Sequence, residues 1–72
     1  MSNDLCFDRG DVIEFCDEEY IVVRGGSYMG AVCPIGTEYW IASFYWRFEG
    51  TACTFVRRAT DDELKLIEKM GD

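Results

Sequence analysis

Four cysteines are the first residues of this 72-residue chain that could do chemistry: Cys6, Cys16, Cys33 and Cys53. Thiolates bind zinc, attack electrophiles, or pair as disulfides. Zinc-binding thiols usually come in close pairs, yet there is no CxxC here and no histidine to complete a tetrahedral set. The lack of histidine also removes the imidazole base that activates a cysteine or serine nucleophile. An even count of cysteines would suit a disulfide scaffold. The N-terminal MSNDLCFDRGD, however, has no basic region leading into an apolar run, so a secretory context is not indicated. The four thiols are therefore expected to act as small, buried hydrophobes, with no metal and no cofactor, and whether they are reduced or paired is left open by the sequence.

The carboxylates carry no catalytic signature either. Paired acids can serve as general acid and base, but here they fall in turns and at a helix start, where solvation is expected. A chain this short also seldom encloses a substrate pocket. The stretch GGSYMG (25–30) has the glycines of a phosphate loop without the Lys-Ser/Thr that should follow, so it reads as a flexible turn. Arg9-Gly10-Asp11 spells an integrin-type tripeptide, read as coincidence in a chain without a secretion signal. The sequence predicts a non-enzymatic protein.

Two features remain. The first is an acidic cluster: Asp8, Asp11, Glu14, Asp17, Glu18 and Glu19, opposed only by Arg9. The whole chain has 14 acidic and 7 basic residues, a formal charge of −7. That balance argues against a phosphate-tracking nucleic-acid binder, and it suits docking to a basic protein surface. The second is YWIASFYWRFEG (39–50), rich in aromatics. Period-two alternation puts Phe44, Trp46 and Phe48 on one side and Tyr45, Arg47 and Glu49 on the other. The first set is expected in the core, leaving Tyr45, Arg47 and one of Tyr39 or Trp40 outward. Tyr, Trp and Arg are the side chains enriched in interface hot spots. The candidate partner-binding set is thus Asp11, Glu14, Asp17, Glu18, Glu19, Tyr39, Trp40, Tyr45 and Arg47.

The elements that must position these residues are short strands. A strand over 12–15 and another over 20–23 form a hairpin, with Ile13 and Phe15 on one face and an apolar second strand on both. Further strands are expected over 28–33, 37–43, 44–49 and 52–58. Thr60-Asp61-Asp62-Glu63 is a capping box, so a helix is expected over about 61–70, with Lys69 complementing its dipole and Gly71 ending it. Leu64, Ile67 and Met70 form its apolar stripe. Leu5, Ile13, Phe15, Val22, Phe55, Leu64 and Ile67 would complete the core. A single domain spans 1–72, with strands over about 11–58.

The opening RGDVIEFCDEEYIVV resembles the first hairpin of SH3-like small barrels of the KOW and Tudor kind. There a Gly-Asp turn leads into an apolar strand, a tight turn and a second such strand. The resemblance covers about 15 residues. It implies a mostly β fold, a small antiparallel barrel of five to six short strands with one C-terminal α-helix, working as a binding module. The acidic balance departs from the nucleic-acid-binding members.

The function expected is binding to a protein with a basic surface. In its most concrete form this is a phage or mobile-element inhibitor that occupies the nucleic-acid groove of a host complex by DNA mimicry, in the manner of anti-CRISPR proteins. Size and charge carry that analogy. Two alternatives stay open: homodimerisation through the aromatic face, and a nucleic-acid-binding barrel. No apolar run approaches a membrane span, so the expected compartment is the cytoplasm, that of the host if the chain is phage-encoded.

Overall fold

The computed structural model describes residues 6–70. Nine strands precede one helix: β1 (Cys6–Phe7), β2 (Asp11–Phe15), β3 (Glu18–Arg24), β4 (Gly26–Ser27), β5 (Met29–Pro34), β6 (Ile41–Tyr45), β7 (Arg47–Phe48), β8 (Thr51–Ala52), β9 (Thr54–Arg58) and α1 (Asp61–Ile67). Five of them form an antiparallel sheet in the order β6-β5-β3-β2-β9, while β1 pairs with β4 and β7 with β8. The chain is thus mostly β with one C-terminal helix. The sheet is open, since β6 and β9 are edges and do not pair with each other. The expected closed barrel is not formed. What replaces closure is coiling, because β9, β3 and β6 each carry an extra residue against a neighbour. Such bulges bend a strand and increase its twist.

Turn chemistry sets the hairpins. Phe15 pairs with Glu18 across a two-residue loop in which Cys16 (φ 53°) and Asp17 (φ 67°) are both left-handed. Positive φ at both central positions matches the right-handed twist of the flanking strands. The β7–β8 hairpin repeats the device with Glu49 (φ 51°) and Gly50 (φ 80°).

The central strand β3 is apolar on both faces because the sheet is covered on both. On one side Val12, Ile21, Val23, Ala31 and Cys33 pack against Ile67 and Met70, with Trp40 and Ala59 at the border. On the other, Phe7, Ile13, Val22, Val32, Trp46 and Cys53 form a second cluster, bordered by Phe15, Tyr20, Ile41 and Phe44. The bulge in β6 puts Ile41 and Phe44, three residues apart, on that same face.

Trp46 anchors the second cluster and is fully buried. Its indole N–H donates to the Gly26 carbonyl (2.8 Å), its backbone N–H to Tyr28 (2.7 Å), and its carbonyl accepts from Cys53 (2.7 Å). Phe7 meets the ring edge-on at 5.2 Å. Gly30 lies beneath it: a Cβ there would sit 2.6 Å from indole Cζ2 and 2.2 Å from the Arg24 carbonyl oxygen. A Cβ at Gly25 would come 2.2 Å from the Phe7 carbonyl oxygen. GGSYMG, expected as a flexible turn, is therefore the socket of Trp46. The expected strand over 28–33 starts at Met29, and Tyr28 before it is left-handed (φ 71°) and exposed.

The helix begins as its sequence requires. Thr60 Oγ1 accepts from the Glu63 N–H (3.2 Å) and the Glu63 carboxylate accepts from the Thr60 N–H (2.8 Å). It ends at Ile67, three residues earlier than expected. Arg9 takes over the role expected of Lys69. Its guanidinium donates to the carbonyls of Ile67 (2.7 Å), Met70 (3.4 Å) and Val23 (2.6 Å), satisfying helix-end acceptors and tying the N-terminal segment to sheet and helix. Asp11 in turn binds the Arg58 guanidinium and accepts from the Asp8 N–H (2.9 Å). The Arg-Gly-Asp tripeptide is thereby a structural knot. Ile67 and Met70 dock as expected, whereas Leu64 stays 38% exposed. Phe55, expected in the core, is 55% exposed because β9 has a sheet neighbour on one side only. Leu5 and Gly71 lie outside the described residues.

Candidate protein-binding face

The β2–β3 hairpin carries the acids to one end of the sheet. Glu14, Asp17, Glu18 and Glu19 are all exposed. Glu14 and Glu19 are direct cross-strand partners, a like-charge juxtaposition that costs stability unless a cation relieves it. Asp11, a candidate for this face, is set apart by its contacts with Arg58 and Asp8. Its carboxylate serves the fold.

Aromatic residues lie beside Glu18, on the sheet face opposite the Glu14–Glu19 pair. Phe15 lies directly opposite Glu18, and Tyr20 donates its hydroxyl to Glu18 (3.1 Å) while its ring meets Phe44 at 4.8 Å. Phe44 in turn meets Phe15 edge-on at 5.9 Å. Burial, followed by the hydrogen bond to Glu18, raises the Tyr20 phenol above its ordinary 10.0, so it stays a donor. Beside this cluster is an apolar groove of 280 Å³ lined by Phe15, Ser43, Phe44, Tyr45 and Phe48. A second groove of 440 Å³ lies beside the hairpin tip, lined by Glu18, Glu19, Pro34, Ile35, Thr37 and Tyr39.

Tyr45 and Arg47 point outward as expected. Of the two open candidates, Tyr39 is the exposed one, whereas Trp40 is half-buried against the helix-side core. Phe48 is the correction. Alternation put it inside, yet it is 57% exposed. The strand breaks at Trp46, and the residues after it belong to a separate two-residue ladder that turns at Glu49-Gly50. That ladder is too short to return Phe48 to the core. The Glu49-Gly50 pair is the sequence signal that could have shown it.

Two of the four thiols are buried hydrophobes, Cys33 and Cys53, as expected; Cys6 and Cys16 are exposed. All four are unpaired thiols. Burial pushes Cys53 up to about 11. Among the described residues no group of three metal-ligating side chains converges, and no helix is long and apolar enough to cross a membrane. Compared with known proteins, the chain matches no family model, no curated protein and no solved structure.

Proposed function

We propose that this protein is a non-enzymatic binding module for a protein with a basic surface, engaged through the acidic hairpin and the aromatic side chains beside it. The observation that carries the reading is their contiguity. Glu18 belongs to the anionic hairpin tip and touches the aromatic cluster, as the cross-strand partner of Phe15 and the acceptor from the Tyr20 hydroxyl, so one partner surface can meet both. Anionic side chains steer a basic partner and set the association rate, and exposed aromatics supply the short-range affinity. The resemblance of the first hairpin to SH3-like binding modules agrees with this use. So does the net charge of −7. In its most specific form, the partner surface is one that otherwise holds nucleic-acid phosphates, as for a phage-encoded inhibitor of a host complex.

The test is capture of partners from cell extract, followed by reconstitution with the purified partner. The triple variant Asp17→Asn/Glu18→Gln/Glu19→Gln should slow association, and the difference should shrink as salt rises. An unchanged association rate at low salt would refute the acidic-face reading. Light scattering that shows a dimer, lost on Tyr45→Ala, would favour self-association instead. Binding of labelled DNA or RNA that weakens steeply with salt would favour a nucleic-acid module.

A further inference from the structure

The apolar groove lies along an edge of the main sheet. Ser43, Phe44 and Tyr45 are consecutive residues of β6, whose only sheet neighbour among the described residues is β5. An edge strand offers unpaired N–H and C=O groups to any extended chain laid beside it. Natural edges are usually guarded by charges, and the two edges of this sheet differ in that respect. β9 (TFVRR) ends in Arg57 and Arg58, held by Glu63 and Asp11. β6 (IASFY) has no charged residue. Its last two residues pair regularly with β5, Phe44 with Gly30 and Tyr45 with Met29, with the bulge just before them between Ile41 and Phe44.

Volume and charge define the occupant. A groove of 280 Å³ is just below the range typical of small-molecule sites, and it suits one bulky side chain better than a cofactor. Two carboxylates neighbour its lining residues: Glu18 is the cross-strand partner of Phe15, and Glu49 follows Phe48 at the turn. Arg47 is the cation next to it in sequence and is exposed. An apolar side chain entering the groove would carry its neighbours past these carboxylates.

We propose that the β6 edge receives an extended segment of the partner protein, with one bulky apolar side chain in the groove and an adjacent Lys or Arg meeting Glu18. The proposal rests on the basic-partner reading and narrows it to a linear basic–apolar motif. Main-chain pairing with β6 supplies affinity, the groove selects the apolar residue, and Glu18 selects the cation.

Selection of a library of random displayed peptides on the immobilised protein tests this without knowledge of the partner. Enriched peptides should pair a Leu, Ile, Met or aromatic residue with a nearby Lys or Arg. A selected peptide titrated into isotope-labelled protein should move the amides of Ser43 to Tyr45, Phe48 and Glu18 in one saturable process. Phe48→Ala and Tyr45→Ala, both at exposed positions, should each weaken it by about tenfold, the equivalent of a modest hot spot. Replacing the peptide's apolar residue with Ser should weaken it likewise. The motif proposal is overturned if no peptide is enriched, if the enriched peptides lack the pair, or if the amide changes fall on β9 or the helix. In each of those cases the charge-neutralised triple variant, assayed on the purified partner, still decides the basic-partner reading separately.

Discussion

Replacing Gly30 with Ala isolates the socket that holds Trp46. In most strands this change is favourable, because Ala loses less backbone entropy than Gly by about 0.5–1 kcal/mol. Here the sign reverses. The new methyl would lie 2.2 Å from the Arg24 carbonyl oxygen and 2.6 Å and 2.9 Å from two indole carbons. The carbonyl belongs to the neighbouring strand and cannot swing away, and the indole is pinned by its hydrogen bond to Gly26 and by Phe7. Overpacking of this kind costs roughly 1–3 kcal/mol, and a weakened Trp46–Gly26 hydrogen bond adds about 1. The net loss after the entropic gain is subtracted, roughly 1–3 kcal/mol, is large for a chain whose total stability should be on the order of 4–11 kcal/mol at 72 residues. Urea unfolding followed by tryptophan fluorescence reads it, and the melting temperature should fall by roughly 5–25 °C. Gly36→Ala is the control, since its Cβ would meet nothing and only its positive φ opposes the change. A Gly30→Ala protein within about 0.5 kcal/mol of the parent, inside the ordinary range for surface substitutions, would refute the socket.

Other perturbations probe the remaining parts. Arg9→Ala should destabilise by about 2 kcal/mol in urea, because it strands carbonyls at the helix end and in β3; Arg9→Lys should recover part of this. Trp46→Ala should cost about 3–5 kcal/mol, whereas Phe48→Ala and Tyr45→Ala should each stay within about 1 kcal/mol, which thermal melts distinguish. The Arg57 guanidinium, and then the Thr60 N–H, hold the Glu63 carboxyl down from 4.5 to about 2. Between those values the unfolded chain binds the extra proton, so stability falls as pH drops through that window, and Glu63→Gln should flatten the acid limb of the melting profile. A thiol reagent should label Cys6 and Cys16 rapidly at neutral pH, and Cys33 and Cys53 only as fast as the protein unfolds.

Local chemistry made several elements legible in advance. Thr60 and Glu63 are three residues apart and satisfy each other, so the helix start needs no tertiary partner. The β2–β3 hairpin follows from apolar runs around a two-residue turn, and the two-sided apolar character of β3 indicated a strand buried on both faces. The exposure of Tyr45 and Arg47 followed from alternation, and that of the hairpin acids from their place around a turn. Alternation failed beyond Trp46, since it assumes one uninterrupted strand, and the chain instead breaks and turns at Glu49-Gly50. It also failed at Phe55, where the apolar residue is in a strand but the strand is at an edge.

Residues close together in the chain settle the mostly β character, the C-terminal helix, the anionic hairpin and the weight of aromatics in 39–50, because each of these is local. Contacts between distant residues were decided only in three dimensions. Arg9 caps a helix end some sixty positions away, and Gly30 makes room for Trp46. Bulges in three strands coil the sheet without closing it. Those long-range contacts also leave Phe48 outside, beside Phe15 and Tyr45, and bring the aromatic cluster beside Glu18. Neither stretch of sequence could specify that meeting, since it depends on which sheet edge the chain reaches and on where a large indole fits beneath it.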